Sequence, residues 1–382
     1  MGFRPRPVAG VEVNGAGSSA LALDEASVDP DFWCERRVLV TGHTGFKGAW
    51  LSLWLQALGA RVSGFSMGVP TRPSLYELAR VGEGMEEIEG DVRDFAALDA
   101  ARPEIVIHMA AQSLVRPSFA EPRVTYETNV MGTVNLLDAV RRAGDVRVVV
   151  NVTSDKCYEN REWEWAYREH EPMGGHDPYS SSKGCSELVT EAFRRSFFER
   201  EDATRLASAR AGNVLGGGDW AEDRLIPDLM RAALDGRPMH VRNPDSVRPW
   251  QHVLNPLSGY LLLAQALWSS AQFAGGWNFG PGEEDARPVR WVVQQLTAMW
   301  PERLPSAECQ EPQRPRLHEA RYLKLDSSRA RLHLGWRPRW SLLEGLREVV
   351  GWYEALRRDA DMRAVTLAQV ERFIGSGAPV LR

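Results

Sequence analysis

A glycine-rich turn between an apolar strand and an apolar helix is the feature of this sequence that most constrains its fold. Arg37–Thr41 has the pattern of a short buried strand, and residues 49–58 have that of a mostly buried helix. Between them, Gly42, Gly45 and Gly48 are spaced three apart. Because glycine has no Cβ, the backbone can turn sharply and bring the free amides of the helix start close to a diphosphate. We expect a diphosphate to bind here; the alternative is an ordinary strand–helix turn.

The loop does not fit a P-loop. A P-loop ends in Gly-Lys-Ser or Gly-Lys-Thr, and this loop ends in Phe46-Lys47-Gly48. A glycine turn at the first strand–helix junction is instead typical of dinucleotide-binding folds. The spacing therefore favours a dinucleotide site over an ATPase.

The rest of the first 211 residues alternates between strand and helix patterns. Helical patterns cover residues 123–143 and 179–199. Further strands are predicted at residues 61–65, 85–89, 105–109, 146–152 and 205–211. This alternation predicts an α/β fold with a doubly wound parallel sheet of the Rossmann type.

The alternation stops near residue 212, and this divides the predicted domains. We expect a flexible N-terminal extension at residues 1–30, because that stretch is rich in Gly, Ala, Ser and Pro and has no periodicity. The cofactor-binding Rossmann domain is predicted at residues 31–211 with a returning segment at 251–280. Residues 212–250 and 281–382 are predicted to form a smaller, mixed substrate-binding lobe.

Composition excludes several classes of function. The chain has 382 residues with 46 Lys+Arg and 51 Asp+Glu, a net charge of −5, so it has no basic surplus for nucleic acid or for a membrane surface. No apolar run reaches the ~20 residues of a membrane span, and the N-terminus lacks a signal-peptide pattern. The four cysteines form no C-x-x-C pair, which predicts free thiols, no metal site and a cytoplasmic protein.

Tyr179 and Lys183 form a candidate catalytic pair. They are four residues apart on a predicted helix, so their side chains share one face. A nearby ammonium stabilises a phenolate, so we expect Lys183 to lower the tyrosine pKa from its usual ~10 and make it a proton acceptor. Tyr-x-x-x-Lys is common in helices; its position after the fifth predicted strand gives it weight here.

Ser154, Asp155 and Lys156 follow directly after that fifth strand. The carboxyl ends of parallel strands line the ligand crevice of such folds. A hydroxyl with a Tyr–Lys pair is sufficient to oxidise an alcohol to a ketone by transfer of hydride. Asp155 and Lys156 add an acid and a possible base that simple oxidation does not need; the alternative is a surface ion pair.

Two further segments bear on the cofactor. Asp91 follows the third predicted strand, where its carboxylate could accept a hydrogen bond from an adenine amino group; helix capping by Asp94 is an equal alternative. After the second strand, residues 65–68 offer no Asp or Glu for the ribose hydroxyls. We therefore expect weak retention of the cofactor, and a preference for NAD rests on resemblance alone.

Together these residues resemble the nucleotide-sugar branch of the extended short-chain dehydrogenase/reductase family. The shared motifs are G-x-x-G-x-x-G at residues 42–48, H-M-A-A-Q at 108–112, T-N at 128–129, S-D-K at 154–156, Y-x-x-x-K at 179–183 and R-A-G-N at 210–213. The resemblance implies NAD as cofactor and a homodimer formed through the helices at 123–143 and 179–199. It implies cofactor contacts from Gly42, Gly45, Phe46, Gly48, Asp91, Val92, Ala110, Ala111, Asn129, Tyr179 and Lys183.

Within that branch, the sequence is most similar to enzymes that remove water from CDP-glucose. This likeness rests on G-H-T-G-F-K-G at 42–48, S-D-K-C-Y-E-N at 154–160, G-G-G-D-W at 216–220 and R-P-W-Q-H-V at 248–253. It implies substrate contacts from Asn213 and Arg248, the latter through charge-assisted bonds to the diphosphate.

The resemblance also implies a three-step reaction. Tyr179, assisted by Ser154 and Lys183, takes the proton of the 4-hydroxyl while hydride leaves carbon 4. Lys156 then removes the carbon 5 proton while Asp155 protonates the departing 6-hydroxyl, and hydride returns to carbon 6. For this, Lys156 must be neutral and Asp155 must hold a proton.

Other functions remain open from the sequence. They are a 4,6-dehydratase for a TDP- or GDP-sugar, a 4-epimerase of the same fold, and a scaffold that binds NAD without turnover. An epimerase would leave Asp155 and Lys156 idle, and a scaffold would not need Ser154, Tyr179 and Lys183.

Overall fold

The computed structural model describes residues 26–94, 102–200, 203–238, 240–241, 243–301, 308–309 and 322–375. The strands of these residues are β1 (Arg37–Thr41), β2 (Arg61–Ser66), β3 (Glu86–Glu89), β4 (Ile105–His108), β5 (Val148–Val152), β6 (Arg205–Ala211), β7 (Val214–Leu215), β8 (His240–Val241), β9 (Val247–Pro249), β10 (Gln251–His252), β11 (Gly275–Phe279), β12 (Ala286–Pro288) and β13 (Glu308–Cys309). Seven of them form one sheet in the order β11-β6-β5-β4-β1-β2-β3, and every neighbouring pair is parallel. The predicted doubly wound parallel sheet is confirmed.

The helices cover both faces of this sheet. They are α1 (Pro30–Trp33), α2 (Phe46–Ala57), α3 (Leu75–Leu78), α4 (Val115–Ala120), α5 (Pro122–Tyr126), α6 (Gly132–Ala143), α7 (Pro178–Phe197), α8 (Leu225–Leu234), α9 (Leu254–Ser269), α10 (Val289–Met299), α11 (Ser328–Leu334), α12 (Leu342–Arg357) and α13 (Met362–Gly375). A π-helical segment, Glu127–Met131, joins α5 to α6, and short 3₁₀ segments occur at Asp155–Cys157, Ala271–Phe273 and Glu283–Asp285. None of the helices in the described part of the chain is long and apolar enough to cross a membrane.

Alternate strand residues enter two separate cores. In β1, Val38 and Val40 pack in the core shared with α2 and α9, whereas Leu39 packs in the core shared with α6. This is the two-residue period of a strand, and both sets are apolar because helices cover both faces. The near-continuous apolar runs in the sequence follow from that double burial.

Most element boundaries lie within a few residues of the prediction. The predicted helix at 123–143 is α5, the π-helical segment and α6 in succession, and the helix predicted at 179–199 is α7. Nothing in the periodicity of the sequence distinguishes the π-helical turn from regular α-helix. The predicted returning segment, residues 251–280, contains β11, which lies beside β6 at the edge of the sheet.

Residues 26–30 differ from the predicted flexible extension. The amide of Ala26 donates to the Gly335 carbonyl over 3.3 Å, and Val28 packs against the main core. Asp29 caps α1 by accepting from the amide of Asp31 at 3.0 Å. Gly335 lies about 300 residues further along the chain, so the local composition of residues 26–30 could not indicate this contact. The remainder of the predicted extension, residues 1–25, lies outside the described residues.

The irregular region after β6 contains three small strand pairs. They are β7 with β10, β9 with β12, and β8 with β13. The later helices α12 and α13 belong to the same core as α2, and the rings of Trp54 and Phe373 lie 5.7 Å apart. The predicted substrate lobe thus shares a continuous core with the sheet domain, and the division into two domains stays a prediction.

Candidate active site

The carboxyl ends of β1, β4 and β5 meet at one edge of the sheet, and Thr41 organises the loop that leaves β4. Its hydroxyl accepts from the amides of Met109 and Ala110, both at 3.1 Å, and lies 2.7 Å from His108 Nδ1. Burial lowers the pKa of His108 to about 3, so its imidazole is neutral. These bonds fix the loop that carries Ala110 and Ala111.

The glycine loop has no room for side chains at two of its three glycines. Gly42 has a φ of +73°, and a Cβ there would lie 2.8 Å from the amide nitrogen of Ala110. A Cβ on Gly48 would lie 2.1 Å from the Gly42 carbonyl oxygen. Gly45 caps α2, which begins at Phe46, and the first turn of a helix leaves amides without intrahelical partners. The loop is therefore a close-fitting backbone cradle that suits an anion.

Asp91 lies just after β3 as an ionised acceptor. Its Oδ1 accepts from the Arg93 amide at 2.9 Å, and its Oδ2 accepts from Arg93 Nε at 2.7 Å. The Arg93 guanidinium lowers the pKa of this carboxyl. Val92 is buried against Gly132, where a Cβ would approach its Cγ2 to 2.8 Å. The helix that Asp94 would cap, in the alternative interpretation, falls on residues after 94, which lie outside those described.

Asn129 connects the loop after β4 to α7. Its Nδ2 donates to the Gln112 carbonyl at 2.9 Å and to Ser182 Oγ at 2.8 Å, and its Oδ1 accepts from the Gln112 amide at 2.8 Å. Both amide hydrogens are thus used within the chain. Asn129 therefore ties the loop that carries Ala111 to α7.

Ser154, Asp155 and Lys156 lie together at the end of β5, close to Tyr179. Ser154 caps the 3₁₀ segment by accepting from the Lys156 amide at 3.2 Å, and its hydroxyl donates to Asp155 Oδ1 at 3.0 Å. Lys156 Nζ lies 6.0 Å from the centre of the Tyr179 ring. The structure therefore places the predicted acid and amine beside the predicted phenol.

Asp155 is a buried carboxyl with an unused oxygen. The residue is 2% exposed, and its Oδ2 has no hydrogen-bond partner among the described residues. Burial raises its pKa, although the charges of Lys156 and Arg248 and the Ser154 bond act in the other direction. A carboxyl in this environment favours the protonated form, as a general acid requires.

Tyr179 and Lys183 project from the start of α7 as the spacing predicted, but burial dominates their pKa values. It lowers the pKa of Lys183 to about 8, and Lys183 Nζ donates to the Val152 carbonyl at 3.3 Å. Burial also raises the pKa of Tyr179 to about 12 despite a Ser154 hydrogen bond and the charge of Arg224. The expected lowering of the tyrosine pKa is therefore not a property of the chain alone, because desolvation of the phenolate outweighs the nearby cations.

Three charged residues at this site were not predicted from the sequence: Lys47, Asp219 and Arg224. Lys47 lies in the first turn of α2, and burial, aided by the charge of Arg224, lowers its pKa to about 8. Asp219 is 3% exposed, and its Oδ2 lies 3.2 Å from Arg224 Nη1. A lysine inside the glycine loop was the one signal available in the sequence.

Contacts across the fold bring these residues together. Trp50 Nε1 donates to the Gly217 carbonyl at 3.0 Å, and a Cβ on Gly216 would lie 2.9 Å from Phe46 Cζ. Residues 216–220 therefore pack directly on the first turns of α2, which brings Asp219 within electrostatic range of Lys47.

The two predicted substrate residues flank the site. Asn213 lies between β6 and β7, where its carbonyl accepts from the Gln251 amide at 3.1 Å. Arg248, in β9, donates from Nη1 to the Val247 carbonyl at 3.0 Å, and its charge reaches Asp155. The described residues contain no cluster of three potential metal ligands, and Cys34, Cys157 and Cys185 are free thiols.

The family is decided by comparison with known proteins. A family model described as GDP-mannose 4,6 dehydratase matches residues 39–349. The chain belongs to this dehydratase family. Members differ in sugar nucleotide, so membership of the GDP-mannose 4,6 dehydratase family does not by itself identify the substrate.

Two curated relatives of this dehydratase family differ widely in similarity. The chain is 52% identical over 358 residues to the CDP-glucose 4,6-dehydratase of Salmonella typhimurium, covering 91% of this chain and 99% of the relative. It is 27% identical to a dTDP-glucose 4,6-dehydratase of Xanthomonas campestris, covering 82% and 92% of the two chains.

Solved structures agree in fold. The dTDP-glucose 4,6-dehydratase DesIV of Streptomyces venezuelae, with NAD and TYD bound, superposes with a TM-score of 0.71 at 26% identity, covering 86% of this chain and 99% of that one. A UDP-glucose 4-epimerase of Thermotoga maritima gives a TM-score of 0.72 at 23% identity, covering 84% and 99%, a likeness of fold alone. The resemblance to extended short-chain dehydrogenases is confirmed.

The buried Lys183 should reduce the stability of the protein. Its folded pKa of about 8 lies below the value of 10.5 for a free lysine, so below pH 8 the fold carries the full cost of burying a charge. As pH rises from 8 to 10.5, that cost disappears. Lys183→Met should therefore raise the free energy of unfolding near neutral pH, by up to about 3 kcal/mol, and by less at alkaline pH.

Urea denaturation of the ligand-free parent and of Lys183→Met, at neutral and at alkaline pH, measures this difference in the free energy of unfolding. Lys324→Met, at a half-buried position away from the site, is the matched control. A Lys183→Met protein less stable than the parent at neutral pH would contradict the burial argument.

Proposed function

We propose that this protein removes water from CDP-glucose to give CDP-4-keto-6-deoxyglucose, with NAD as its cofactor. The substrate follows from the 52% identity to a CDP-glucose 4,6-dehydratase over nearly the whole of both chains. The observation that carries the reaction type is the buried carboxyl of Asp155, which lies between Ser154 and Lys156 and has one oxygen without a hydrogen-bond partner among the described residues. This makes the protein a hydro-lyase.

The glycine loop fits a dinucleotide. A Cβ on Gly42 or Gly48 would clash with the backbone of the loop. The first turn of α2 leaves amides without intrahelical partners there, and these can donate to the diphosphate. When bound, NAD accepts hydride from carbon 4 and supplies the hydride for carbon 6. The residues that would hold it are Gly42, Gly45, Phe46, Gly48, Asp91, Val92, Ala110, Ala111, Asn129, Tyr179 and Lys183.

The first step requires a base at the 4-hydroxyl, and Tyr179 is placed for it. Its phenol hydrogen-bonds with Ser154, and Lys183 follows it by one helical turn. Because burial holds the pKa of Tyr179 at about 12, the phenol is protonated until positive charge accumulates in the site. This restricts proton removal to the assembled complex.

Elimination then uses the residues that plain oxidation does not. A ketone at carbon 4 acidifies the proton on carbon 5, which Lys156 removes. Asp155, whose pKa burial raises, gives its proton to the departing 6-hydroxyl so that water leaves. Asn213 and Arg248 would hold the sugar nucleotide from the other side, with Arg248 paired to the diphosphate.

The same geometry ranks the alternatives. A 4-epimerase of this fold needs the Ser–Tyr–Lys set and gains nothing from a buried acid, which is costly to bury unpaired. A scaffold would need none of these groups. A dehydratase for a TDP- or GDP-sugar has the same chemistry, so the distinction depends on the substrate.

Incubation with CDP-, dTDP- and GDP-linked hexoses should separate these functions. With CDP-glucose we expect a 4-keto-6-deoxy product, detected by its ultraviolet band in alkali. The kcat/KM for CDP-glucose should be well above the values for the dTDP- and GDP-linked hexoses. Equal turnover of all three would contradict the base preference, and an epimer without water loss would contradict the reaction type.

Two variants should separate the steps. Asp155→Asn removes the acid and should slow dehydration by about 100-fold or more while oxidation at carbon 4 continues, because Tyr179 and Lys183 are intact. Tyr179→Phe should abolish oxidation itself. Rapid-mixing measurement of reduced cofactor tests both, and normal dehydration by Asp155→Asn would exclude Asp155 as the acid.

Gly48→Ala should weaken NAD binding by about tenfold or more, because its Cβ would displace the Gly42 carbonyl and distort the cradle. Titration of NAD by tryptophan fluorescence measures the affinity. Gly351→Ala is the matched control, since a Cβ there meets nothing within 4 Å on α12. Unchanged affinity in Gly48→Ala would remove the loop from the cofactor site.

We further propose a homodimer built on α5, α6 and α7. These helices and the π-helical segment between α5 and α6 carry exposed apolar side chains at Tyr126, Met131 and Leu188, of which Leu188 is 61% exposed. The same helices from two copies would cover them, as in an isologous interface. We place the protein in the cytoplasm on the strength of its thiol pattern, which cell fractionation can test.

Leu188→Glu should shift the protein toward monomer in light scattering at micromolar concentration, since it sets two like charges in the proposed interface. Leu332→Glu, at a similarly exposed leucine on α11, should not. An unchanged mass for Leu188→Glu would place any interface elsewhere.

A further inference from the structure

A buried ion pair behind the active site has no part in the steps above. Arg210 Nη2 lies 2.7 Å from Glu187 Oε2, and Arg210 Nε lies 2.9 Å from Oε1. The two side chains are only 6% and 4% exposed. Burying two charges is costly unless every donor and acceptor is used, so the further contacts of the pair bear on its purpose.

Glu187 connects three elements. Its carboxylate accepts from Arg210 and from Ser208, the latter at 2.6 Å, both in β6. It also accepts a short hydrogen bond from the hydroxyl of Thr153, the residue immediately before Ser154. Glu187 itself stands on α7, one helical turn beyond Lys183.

Arg210 holds the other end of the same segment. Its Nη1 donates to the hydroxyl of Tyr158 at 2.7 Å and to the Glu169 carbonyl at 2.9 Å. The Tyr158 hydroxyl in turn donates to Asn278 Oδ1 at 2.8 Å. Tyr158 is the residue that follows the 3₁₀ segment Asp155–Cys157.

The acid–amine segment is thus anchored on both sides by one ion pair. Thr153 precedes it and is bonded to Glu187, and Tyr158 follows it and is bonded to Arg210. Between these anchors lie Ser154, Asp155 and Lys156. Tyr179 and Lys183 are carried separately by α7, whose regular hydrogen bonds hold them without these anchors.

We propose that the Glu187–Arg210 pair is a positioning device that aligns Asp155 and Lys156 with the sugar during elimination. The pair is needed less for oxidation at carbon 4, because Tyr179 and Lys183 stand on α7 and only Ser154, of the residues of that step, lies between the anchors. Displacement of a catalytic group by even 1 Å costs roughly 100-fold in rate. This inference rests on the proposed dehydratase function.

Glu187 has a second effect on the same site. Its charge opposes the lowering of the Lys183 pKa by burial. Glu187 therefore also favours the charged form of the lysine beside Tyr179, an effect on an oxidation residue that is separate from the positioning of Asp155 and Lys156.

Tyr158→Phe tests the proposal with little disturbance. It removes the hydroxyl bonded to Arg210 and Asn278 and keeps the ring, which stacks on Tyr167 with centroids 5.3 Å apart. Tyr167→Phe is a matched control, because its hydroxyl also makes two hydrogen bonds, with the Arg161 amide and Asn160 Oδ1, and none with the ion pair.

We expect kcat for dehydration to fall about tenfold in Tyr158→Phe with KM little changed. Reduced cofactor should accumulate during turnover, because oxidation outpaces elimination. Amide hydrogen exchange at residues 153–158 should also accelerate in the ligand-free protein. Tyr167→Phe should match the parent in the first two measurements.

Arg210→Lys gives an independent test, since lysine can pair with Glu187 but cannot donate to Tyr158 in the same geometry. If the two residues act through one path, Tyr158→Phe should add little to Arg210→Lys. Three outcomes would each overturn the proposal. They are additive losses of kcat in the double variant, equal losses in Tyr158→Phe and Tyr167→Phe, and a normal kcat in Tyr158→Phe without accumulation of reduced cofactor. Failure of the parent enzyme to dehydrate CDP-glucose would overturn the function instead, and leave the exchange comparison valid.

Discussion

Desolvation of ionisable side chains at the carboxyl edge of the sheet is the constraint on which this site depends. A parallel sheet with helices on both faces directs the ends of β1, β4 and β5 into one crevice, where water is largely displaced. Charged groups placed there must lose their charge or find full hydrogen bonding. Asp155 and Lys183 shift toward their neutral forms, whereas Glu187 and Arg210 remain charged and use many of their donors and acceptors on one another and on neighbours.

This distribution of charge suits a reaction that passes protons in sequence. Burial raises the pKa of the Asp155 carboxyl, and it raises the pKa of the Tyr179 phenol to about 12. In the proposed mechanism, Tyr179 therefore becomes a base only when cofactor and substrate are bound. In that mechanism, helix α7 carries Tyr179 and Lys183 for oxidation, and a short segment fixed by an ion pair carries Asp155 and Lys156 for elimination.

Much of this could be predicted locally. The strand–glycine–helix start, the Tyr179–Lys183 spacing and the S-D-K run each lie within a few residues, so their placement follows from short-range rules of strands and helices. Lys47 was missed because its neighbours, Asp219 and Arg224, lie some 170 residues away in the chain. The direction of the Tyr179 shift was missed for the same reason, since burial is a sum over the whole fold.

The sequence by itself determined the class of fold, the glycine loop and the candidate reacting groups, because strand and helix periods and residue chemistry are local properties. Only the tertiary structure decided the protonation states of those groups, the packing of residues 26–30, and the pairing of Glu187 with Arg210. These depend on desolvation and on contacts between distant segments, and both arise only when the two helical layers close over the sheet.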